Sequence, residues 1–194
     1  MINFILQLDL YLFHIINTDL NNTLFNYIFI FFHDCHKNIW FVLPILFLWL
    51  FYIFKDKKNR MSLIILIPLS ILITDQIGSK VKDLELRQRP YMVIEKHEMN
   101  LLIDAPKNKE GLYKNTKSSR KSFPSNHSSN IWALSIVLSY MYREQKKYFI
   151  ILAVLISVSR VYIGVHYPLD IITGCGIGLI VGSMLIKCAQ KLIR

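Results

Sequence analysis

Residues 39–54 read IWFVLPILFLWLFYIF, and residues 61–74 read MSLIILIPLSILIT. Neither stretch contains a charged residue, and the six residues between them read KDKKNR. A helix needs about 20 mostly apolar residues to cross a bilayer, or about 17 when flanking side chains reach the interface. The two runs therefore predict neighbouring membrane-spanning helices joined by a short basic loop.

The composition also favours a membrane. Of the 194 residues, 53% are hydrophobic and 19% are charged, whereas soluble domains carry about 25% charged residues. The formal net charge is +10, but the basic residues lie mainly in the connections between apolar runs and not along one amphipathic face. This distribution indicates membrane topology and an anionic substrate, and it speaks against a nucleic-acid partner. The length predicts a single domain over residues 1–194.

The apolar segments predict an all-α fold, a polytopic membrane bundle of about six helices. These helices are expected over residues 22–32, 38–54, 61–80, 125–142, 147–159 with an extension toward 162, and 168–187. Residues 2–16 place apolar side chains at helical spacing with polar ones between them, which favours an amphipathic helix within residues 1–20 on the membrane surface. A full first crossing that continues into residues 25–32 is the alternative.

The basic loops predict the orientation, because basic residues in short loops stay on the cytoplasmic side. By helix counting, three basic segments share one side: the loop 55–60, the loop 143–147 and the tail with Lys187, Lys191 and Arg194. The external loop 81–124 and the turn 160–170 then lie together on the opposite side. The expected location is the cell inner (cytoplasmic) membrane, crossed several times, with the loop 81–124 and the turn 160–170 facing the periplasm or exterior.

Three polar clusters stand at the predicted external ends of these helices. They read KDLELRQRP over residues 82–90, PSNH over residues 124–127 and SRVYIGVHYPLD over residues 159–170. Their shared position means that they can act on one ligand. Lys82, Arg89 and Arg160 supply three cations beside a low-dielectric medium, where a charge is expected to have a partner. A phosphate dianion would satisfy them, and guanidinium groups bind it in a bidentate manner.

Pairing of these cations with lipid headgroups, or with Asp83 and Glu85, is the alternative. Ser125 precedes an apolar run and is a plausible helix N-cap. The free N–H groups that follow it would form an anion site at the positive end of the helix dipole. His127 stands in that first turn, next to a bound phosphate, although an interfacial or capping role would also explain it.

The pair His166 and Asp170 is the most informative. Pro168 suits the first turn of a helix, so Asp170 lies just inside the last helix and can reach back toward His166. A carboxylate that accepts the Nδ1–H of an imidazole leaves Nε2 free and basic, as a histidine nucleophile requires. A structural hydrogen bond that closes the turn is the alternative.

The three clusters together resemble the signature of the type 2 phosphatidic acid phosphatase superfamily, membrane lipid phosphatases related to vanadium haloperoxidases. That signature reads K-x6-RP, PSxH and SR-x5-H-x3-D, and its order and spacings are all present here. The resemblance covers the helical frame from residue 22 to residue 187. At position 126, where many members have glycine, this chain has Asn126, whose effect on specificity is open.

The resemblance implies a role for each matching residue. It implies that the substrate phosphate is held by Lys82, Arg89, Ser125, Asn126 and Arg160. It further implies that His166 attacks phosphorus, that Asp170 orients it, and that His127 protonates the leaving oxygen and then activates water.

No cofactor and no metal ion are expected. His33, Cys35 and His36 have ligand-like side chains but no second cluster of matching spacing, and the catalytic cluster has cations where a metal phosphatase would place Mg²⁺. The three cysteines do not indicate a disulfide framework. Asp75 and Gln76, inside an apolar helix, are expected to be satisfied by neighbouring helices.

The leading hypothesis is an integral-membrane enzyme that hydrolyses a lipid phosphate or diphosphate through a phosphohistidine, with membrane lipids as its surroundings. Undecaprenyl diphosphate is the first candidate substrate; phosphatidic acid, phosphatidylglycerol phosphate and lipid A phosphates are alternatives. A lipid phosphotransferase, a vanadate-dependent haloperoxidase and a non-enzymatic membrane protein or transporter are the competing functions. The sequence does not indicate an oligomeric state.

Overall fold

The two uncharged runs form a helical hairpin. They lie in helices α3 (Ile39–Lys55) and α4 (Arg60–Lys82). Side chains of the basic loop between them hydrogen-bond within the loop and to the end of α3. Asn59 Nδ2 donates to Asp56 Oδ2 at 2.8 Å, and Arg60 Nε donates to the carbonyl of Ile53 at 2.9 Å. These bonds satisfy polar groups at the helix ends that would otherwise remain unpaired.

The computed structural model describes residues 2–35, 37–109 and 112–192. Within these ranges the chain is all helical and contains no β-strand. The remaining α-helices are α1 (Ile2–His14), α2 (Thr23–Asp34), α5 (Pro90–Val93), α6 (Asn126–Met141), α7 (Lys146–Tyr162) and α8 (Pro168–Leu192). A π-helical turn extends α1 over Ile15–Asp19, and a 3₁₀ turn, Arg143–Gln145, precedes α7. The all-α prediction is confirmed, and the short α5 is an element that apolar periodicity did not predict.

Helices α6 and α8 form the closest pair in the bundle because α8 carries glycine where the two backbones meet. A Cβ atom on Gly174 would lie 2.5 Å from the carbonyl oxygen of Ser125, and one on Gly178 would lie 2.4 Å from that of Ser129. Small residues at such positions let helices approach closely in membrane proteins. The first turns of α6 and α8, which carry two of the three polar clusters, are thereby held side by side.

Among the described residues, α4 and α8 are each long and apolar enough to cross a bilayer. The count rises to three if α2 and α3, whose axes differ in direction by 60°, are taken as one broken span. Large apolar side chains on α3 point outward, with Trp40 80% exposed and Phe47 71% exposed. Such an outward face suits contact with lipid and would be costly in water.

The amino-terminal helix α1 is docked against the ends of α7 and α8. Phe13 is fully buried, and its ring centroid lies 5.5 Å from that of Tyr167. The buried Asn17 side chain donates to the carbonyls of Asn100 and Tyr162 at 2.8 and 2.7 Å. Helix α1 is thus part of the same end of the bundle as the polar clusters. Its placement on the membrane surface stays a prediction.

The long connection between α4 and α6 folds back on itself. The amide of Arg89 donates to the carbonyl of Ser119 at 2.9 Å, and the amide of Ser122 donates to the carbonyl of Arg87 at 2.9 Å. These two bonds join the beginning and the end of the connection beside the ends of the helices. The first polar cluster is thereby brought next to the second.

Candidate active site

The turn between α7 and α8 carries the third polar cluster. The amides of Val165 and His166 both donate to the carbonyl of Arg160, at 3.2 and 3.1 Å. Gly164 has φ +85°, and a Cβ atom there would lie 2.8 Å from the carbonyl oxygen of Asn100. Position 164 therefore requires glycine, because its φ is positive and because a side chain would not fit. The turn places His166 directly above the end of α7.

His166 and Asp170 form a buried pair. Nδ1 of His166 lies 3.3 Å from Oδ2 of Asp170, and the two residues are 3% and 0% exposed. The same carboxylate oxygen accepts hydrogen bonds from Ser122 Oγ at 2.6 Å and from the amide of Tyr167 at 3.0 Å. The spacing of four residues, one helical turn, predicts the pairing, and Ser122 is a partner that the sequence did not indicate.

The charge of His166 is determined mainly by its burial. Burial lowers the pKa of His166 to about 3; the hydrogen bond to Asp170 acts in the opposite direction, and the positive charge of Arg89 lowers the pKa further. The imidazole is therefore unprotonated at neutral pH. This is the form of histidine that can act as a nucleophile.

Lys82 and Arg89 are held by the end of the external connection. Lys82 Nζ donates to the carbonyls of Lys121 and Ser122 at 2.9 and 3.2 Å. Arg89 Nε donates to the carbonyl of Ser118 at 3.1 Å, and burial lowers the pKa of its guanidinium. The two predicted cations thus lie together near the His–Asp pair, and backbone carbonyls fix their positions.

Arg160, the third predicted cation, is 2% exposed and contacts His33 on α2 through Nη1 and Nδ1. Its Nε is buried and has no hydrogen-bond partner among the described atoms. The sequence marked His33 only as a metal-ligand candidate with Cys35 and His36. His36 lies outside the described residues, and the described ones contain no group of three metal-ligating side chains.

The second cluster begins α6. Ser125 Oγ accepts from the amide of Ser128 at 3.4 Å, which confirms Ser125 as the N-cap. The amide of Ser125 donates to the carbonyl of Asp170 at 3.0 Å, so the first turn of α6 is fixed against the His–Asp pair. His127 is exposed on the same turn.

Asn126 is turned toward α4. Its Nδ2 donates to Asp75 Oδ1 at 2.9 Å, and a Cβ atom on Gly78 would lie 2.3 Å from Asn126 Oδ1. The expectation that Asp75 is satisfied by a neighbouring helix is confirmed. Gln76 is exposed. The side chain of Asn126 therefore joins α6 to α4.

A cavity of about 170 Å³ lies between α2, α4, α6 and α7 beside this cluster. His127 and Arg160 belong to its lining, together with Asn130. The rest of the lining is mainly apolar and includes Phe32, Ile71, Ile131, Leu134 and Ile156. The cavity thus joins two predicted site residues to a mainly apolar space.

The helical bundle carries a buried histidine–aspartate pair and a group of basic side chains at one end, which is typical of one class of membrane protein. The family model described as the PAP2 superfamily matches residues 61–194. The chain belongs to the PAP2 superfamily. All three polar clusters lie within the matched residues.

Relatives of known structure or function agree with this membership. The chain is 32% identical over 154 residues to a lipid A 4'-phosphatase of Porphyromonas gingivalis, an alignment covering 78% of this chain and 61% of that protein. It therefore spans about three fifths of the length of that curated relative.

Two crystal structures share the fold. Aquifex aeolicus LpxE superposes with a TM-score of 0.70 at 26% identity, over 93% of this chain and 95% of that one. A transmembrane PAP2-type phosphatidylglycerolphosphate phosphatase of Bacillus subtilis superposes with a TM-score of 0.66 at 21% identity, over 97% and 88%. The chain is accordingly a membrane protein with the PAP2 fold.

Proposed function

We propose that this protein is a lipid phosphatase that hydrolyses a phosphate ester or diphosphate through a phosphohistidine at His166, without a metal ion. The observation that carries the proposal is the buried, unprotonated His166, which is held by Asp170 and lies close to the cations Arg89 and Lys82. Neutral imidazole supplies the attacking nitrogen, and the cations balance the charge of the phosphate. Membership of the PAP2 superfamily supports the same chemistry.

The phosphate binds to Lys82, Arg89 and Arg160. Arg160 Nε is buried without a hydrogen-bond partner in the described part of the chain, and a buried donor of this kind is costly unless a ligand satisfies it. A non-bridging phosphate oxygen is a suitable acceptor. The N-terminal turn of α6, with Ser125 and the backbone of Asn126, adds a favourable helix dipole.

The reaction then has two steps. In the first, His166 Nε2 forms a bond to phosphorus while the bond from phosphorus to the lipid oxygen breaks, and His127 gives that oxygen a proton. In the second, His127 takes a proton from water, the water oxygen bonds to phosphorus, and the phosphorus–nitrogen bond breaks. Asp170 accepts the Nδ1 proton of His166 in a hydrogen bond throughout and stabilises the positive ring. Its Oδ2 is already engaged by three donors.

The substrate is a lipid. The apolar cavity beside Arg160 and His127 supports this, because it offers a hydrocarbon chain a place next to the residues that bind the headgroup phosphate. The site lies at the helix ends, so a lipid can react without leaving the bilayer. A phosphate on a membrane-anchored lipid is the shared feature of every candidate.

The site faces the outside of the inner (cytoplasmic) membrane. Tyr142 Oη donates to Asp56 Oδ2 at 3.0 Å, so the basic loop after α3 and the one after α6 share one end of the bundle. The positive-inside rule assigns that end to the cytoplasm. The polar clusters at the opposite end then face the periplasm or exterior.

Among the candidate lipids, the similarity to a lipid A 4'-phosphatase favours a lipid A phosphate. Undecaprenyl diphosphate, phosphatidic acid and phosphatidylglycerol phosphate fit the same site chemistry. A phosphotransferase that passes the group to an acceptor lipid would use the same first step. Release of phosphate without an added acceptor distinguishes hydrolysis from transfer.

The test measures phosphate release by detergent-purified protein, with a chelator, from lipid A, undecaprenyl diphosphate, phosphatidic acid, phosphatidylglycerol phosphate and a water-soluble phosphate ester. We expect wild type to act on at least one lipid and His166→Ala to be inactive. His97→Ala is the matched control, because the His97 side chain is 76% exposed on the external connection. Dependence on added Mg²⁺ would contradict the metal-free mechanism, and equal rates on the water-soluble ester would contradict a lipid substrate.

A further inference from the structure

Arg87 lies between two buried carboxylates. Its Nη1 is 2.6 Å from Asp9 Oδ2 and 3.5 Å from Asp170 Oδ1. Asp9 and Asp170 are 4% and 0% exposed. Buried carboxylates require a compensating charge, and Arg87 supplies it to both. Arg87 lies inside the first polar cluster but is not one of the residues of the K-x6-RP pattern.

Arg87 is itself fixed through both its side chain and its backbone. Its Cζ lies 3.4 Å from the centroid of the Tyr167 ring, a cation–π contact with the residue that follows His166. The carbonyl of Arg87 accepts the amide of Ser122 at 2.9 Å, and Ser122 Oγ in turn donates to Asp170 Oδ2 at 2.6 Å. Ser122 therefore hydrogen-bonds one oxygen of Asp170, and Arg87 places its charge 3.5 Å from the other.

The second carboxylate oxygen of Asp9 accepts a hydrogen bond from α8, the helix that carries Asp170. Asp9 Oδ1 accepts the amide of Leu169 at 2.7 Å, in the first turn of α8. A carboxylate at this position satisfies a free N–H group and is favoured by the helix dipole. Asp9 thus joins α1 to both Arg87 and α8. It stands outside residues 61–194, which the family model matches.

We infer that Asp9 and Arg87 are positioning residues for the reaction. They fix the Asp170 carboxylate in the orientation that holds His166, so helix α1 completes the catalytic end of the bundle. Without Asp9, Asp170 would be the one carboxylate among the described residues left beside the Arg87 cation. The cation would then draw the Asp170 carboxylate away from His166. Without Arg87, both carboxylates would lose the cation that lies between them. This inference rests on the proposed role of His166.

Asp9→Asn and Arg87→Met test the inference. Asparagine keeps an acceptor for the Leu169 amide but removes the charge, and methionine keeps much of the Arg87 stem. We expect each variant to lower kcat by about tenfold to a hundredfold, the scale for a displaced catalytic group, with KM and inhibition by inorganic phosphate changed less than about twofold because the three phosphate-binding cations stay in place. Arg87→Lys should recover part of kcat.

Asp19→Asn is the matched control, because Asp19 is an exposed carboxylate at the end of the same amino-terminal segment. The double variant Asp9→Asn/Arg87→Met should lose no more kcat than the worse single variant, since the two residues act through one contact. Wild-type kcat in both single variants, or losses that multiply in the double variant, would overturn the inference. A loss confined to KM would also overturn it.

A second measurement does not depend on activity. In protein with ¹⁵N-labelled histidine, the ring signals of His166, assigned with His166→Gln, report which nitrogen carries the proton. We expect wild type to hold the Nδ1–H form and Arg87→Met to lose that preference. An unchanged His166 spectrum in Arg87→Met would refute positioning. Absence of wild-type hydrolysis with a changed spectrum would refute the proposed function alone.

Discussion

Ser122 Oγ donates a 2.6 Å hydrogen bond to Asp170 Oδ2, the same oxygen that lies 3.3 Å from His166 Nδ1. A residue from the external connection therefore helps to aim the carboxylate that orients the histidine. Ser122 is fully buried, so water does not readily replace its hydroxyl. The connection between α4 and α6 thus takes part in building the site as well as joining two helices.

We expect Ser122→Ala to lower kcat by about tenfold, because Asp170 loses its shortest hydrogen bond and becomes free to turn. KM should change little, since the three cations are untouched. Steady-state hydrolysis of the preferred lipid measures both quantities. Ser139→Ala, which removes a buried hydroxyl from the far part of α6, should keep wild-type kcat; the same loss in both variants would show that buried serines act only on stability.

Replacement of His33 should affect phosphate binding more than the chemical step. His33 contacts Arg160 in the buried part of the site, so His33→Ala leaves the Arg160 guanidinium less well placed for the phosphate. We expect KM and the inhibition constant of inorganic phosphate to rise about threefold to tenfold, the effect of losing about 1 kcal/mol of binding. An unchanged inhibition constant, with His97→Ala as control, would disprove this role.

The pH dependence of stability should report the burial of His166. Its folded pKa is lowered to about 3 from 6.5, so below pH 6.5 the unfolded chain binds a proton that the folded chain does not. Stability is therefore fully present above pH 6.5 and is lost as the pH falls toward 3. Thermal unfolding in detergent should show a steeper loss between pH 6.5 and pH 4 for wild type than for His166→Gln. Parallel curves for the two proteins would contradict a buried, neutral His166.

The α6–α8 contact should be sensitive to a single methyl group. In Gly178→Ala the added Cβ would lie 2.4 Å from the carbonyl oxygen of Ser129, so we expect a loss of about 1–3 kcal/mol, the usual cost of overpacking. Gly176→Ala is the control, because nothing lies within 4 Å of its Cβ position. Equal melting temperatures in detergent for the two variants would disprove the close approach.

Asn126 and Asp75 should behave as one unit. Asn126→Ala removes a donor from a half-buried carboxylate, and we expect a loss of about 1–3 kcal/mol in the free energy of unfolding. Asp75→Ala/Asn126→Ala should cost less than the sum of the single variants, because the unpaired carboxylate is gone. Thermal unfolding of the three variants measures this coupling, and additive losses would rule it out.

Features that depend on nearby residues could be predicted from the sequence. The helices follow from the length and periodicity of the apolar runs, and Ser125 as N-cap follows from its position before one of them. The His166–Asp170 pair follows from a spacing of one helical turn. The predicted site residues Lys82 and Arg89 lie near this pair, and the guanidinium of Arg160 lies close to that of Arg89.

Some contacts could not be predicted because they join residues distant in the chain. His33 contacts Arg160, Ser122 contacts Asp170, and Arg87 contacts Asp9, and each pair is separated by more than 40 residues. No periodicity or spacing signals such a pair. Nothing in the sequence around His33 or Asp9 indicates its partner, because the contact forms only when the helices pack.

The sequence by itself determined an all-helical membrane protein with three polar clusters at the helix ends, because hydrophobic length, capping and helical spacing act over a few residues. Only the tertiary structure decided which buried groups hold the site in place. Burial makes an unpaired charge costly. Once the helices pack, buried cations and carboxylates therefore pair with groups that are near in space, whatever their distance along the chain. In this protein those partners came from α1, α2 and the external connection.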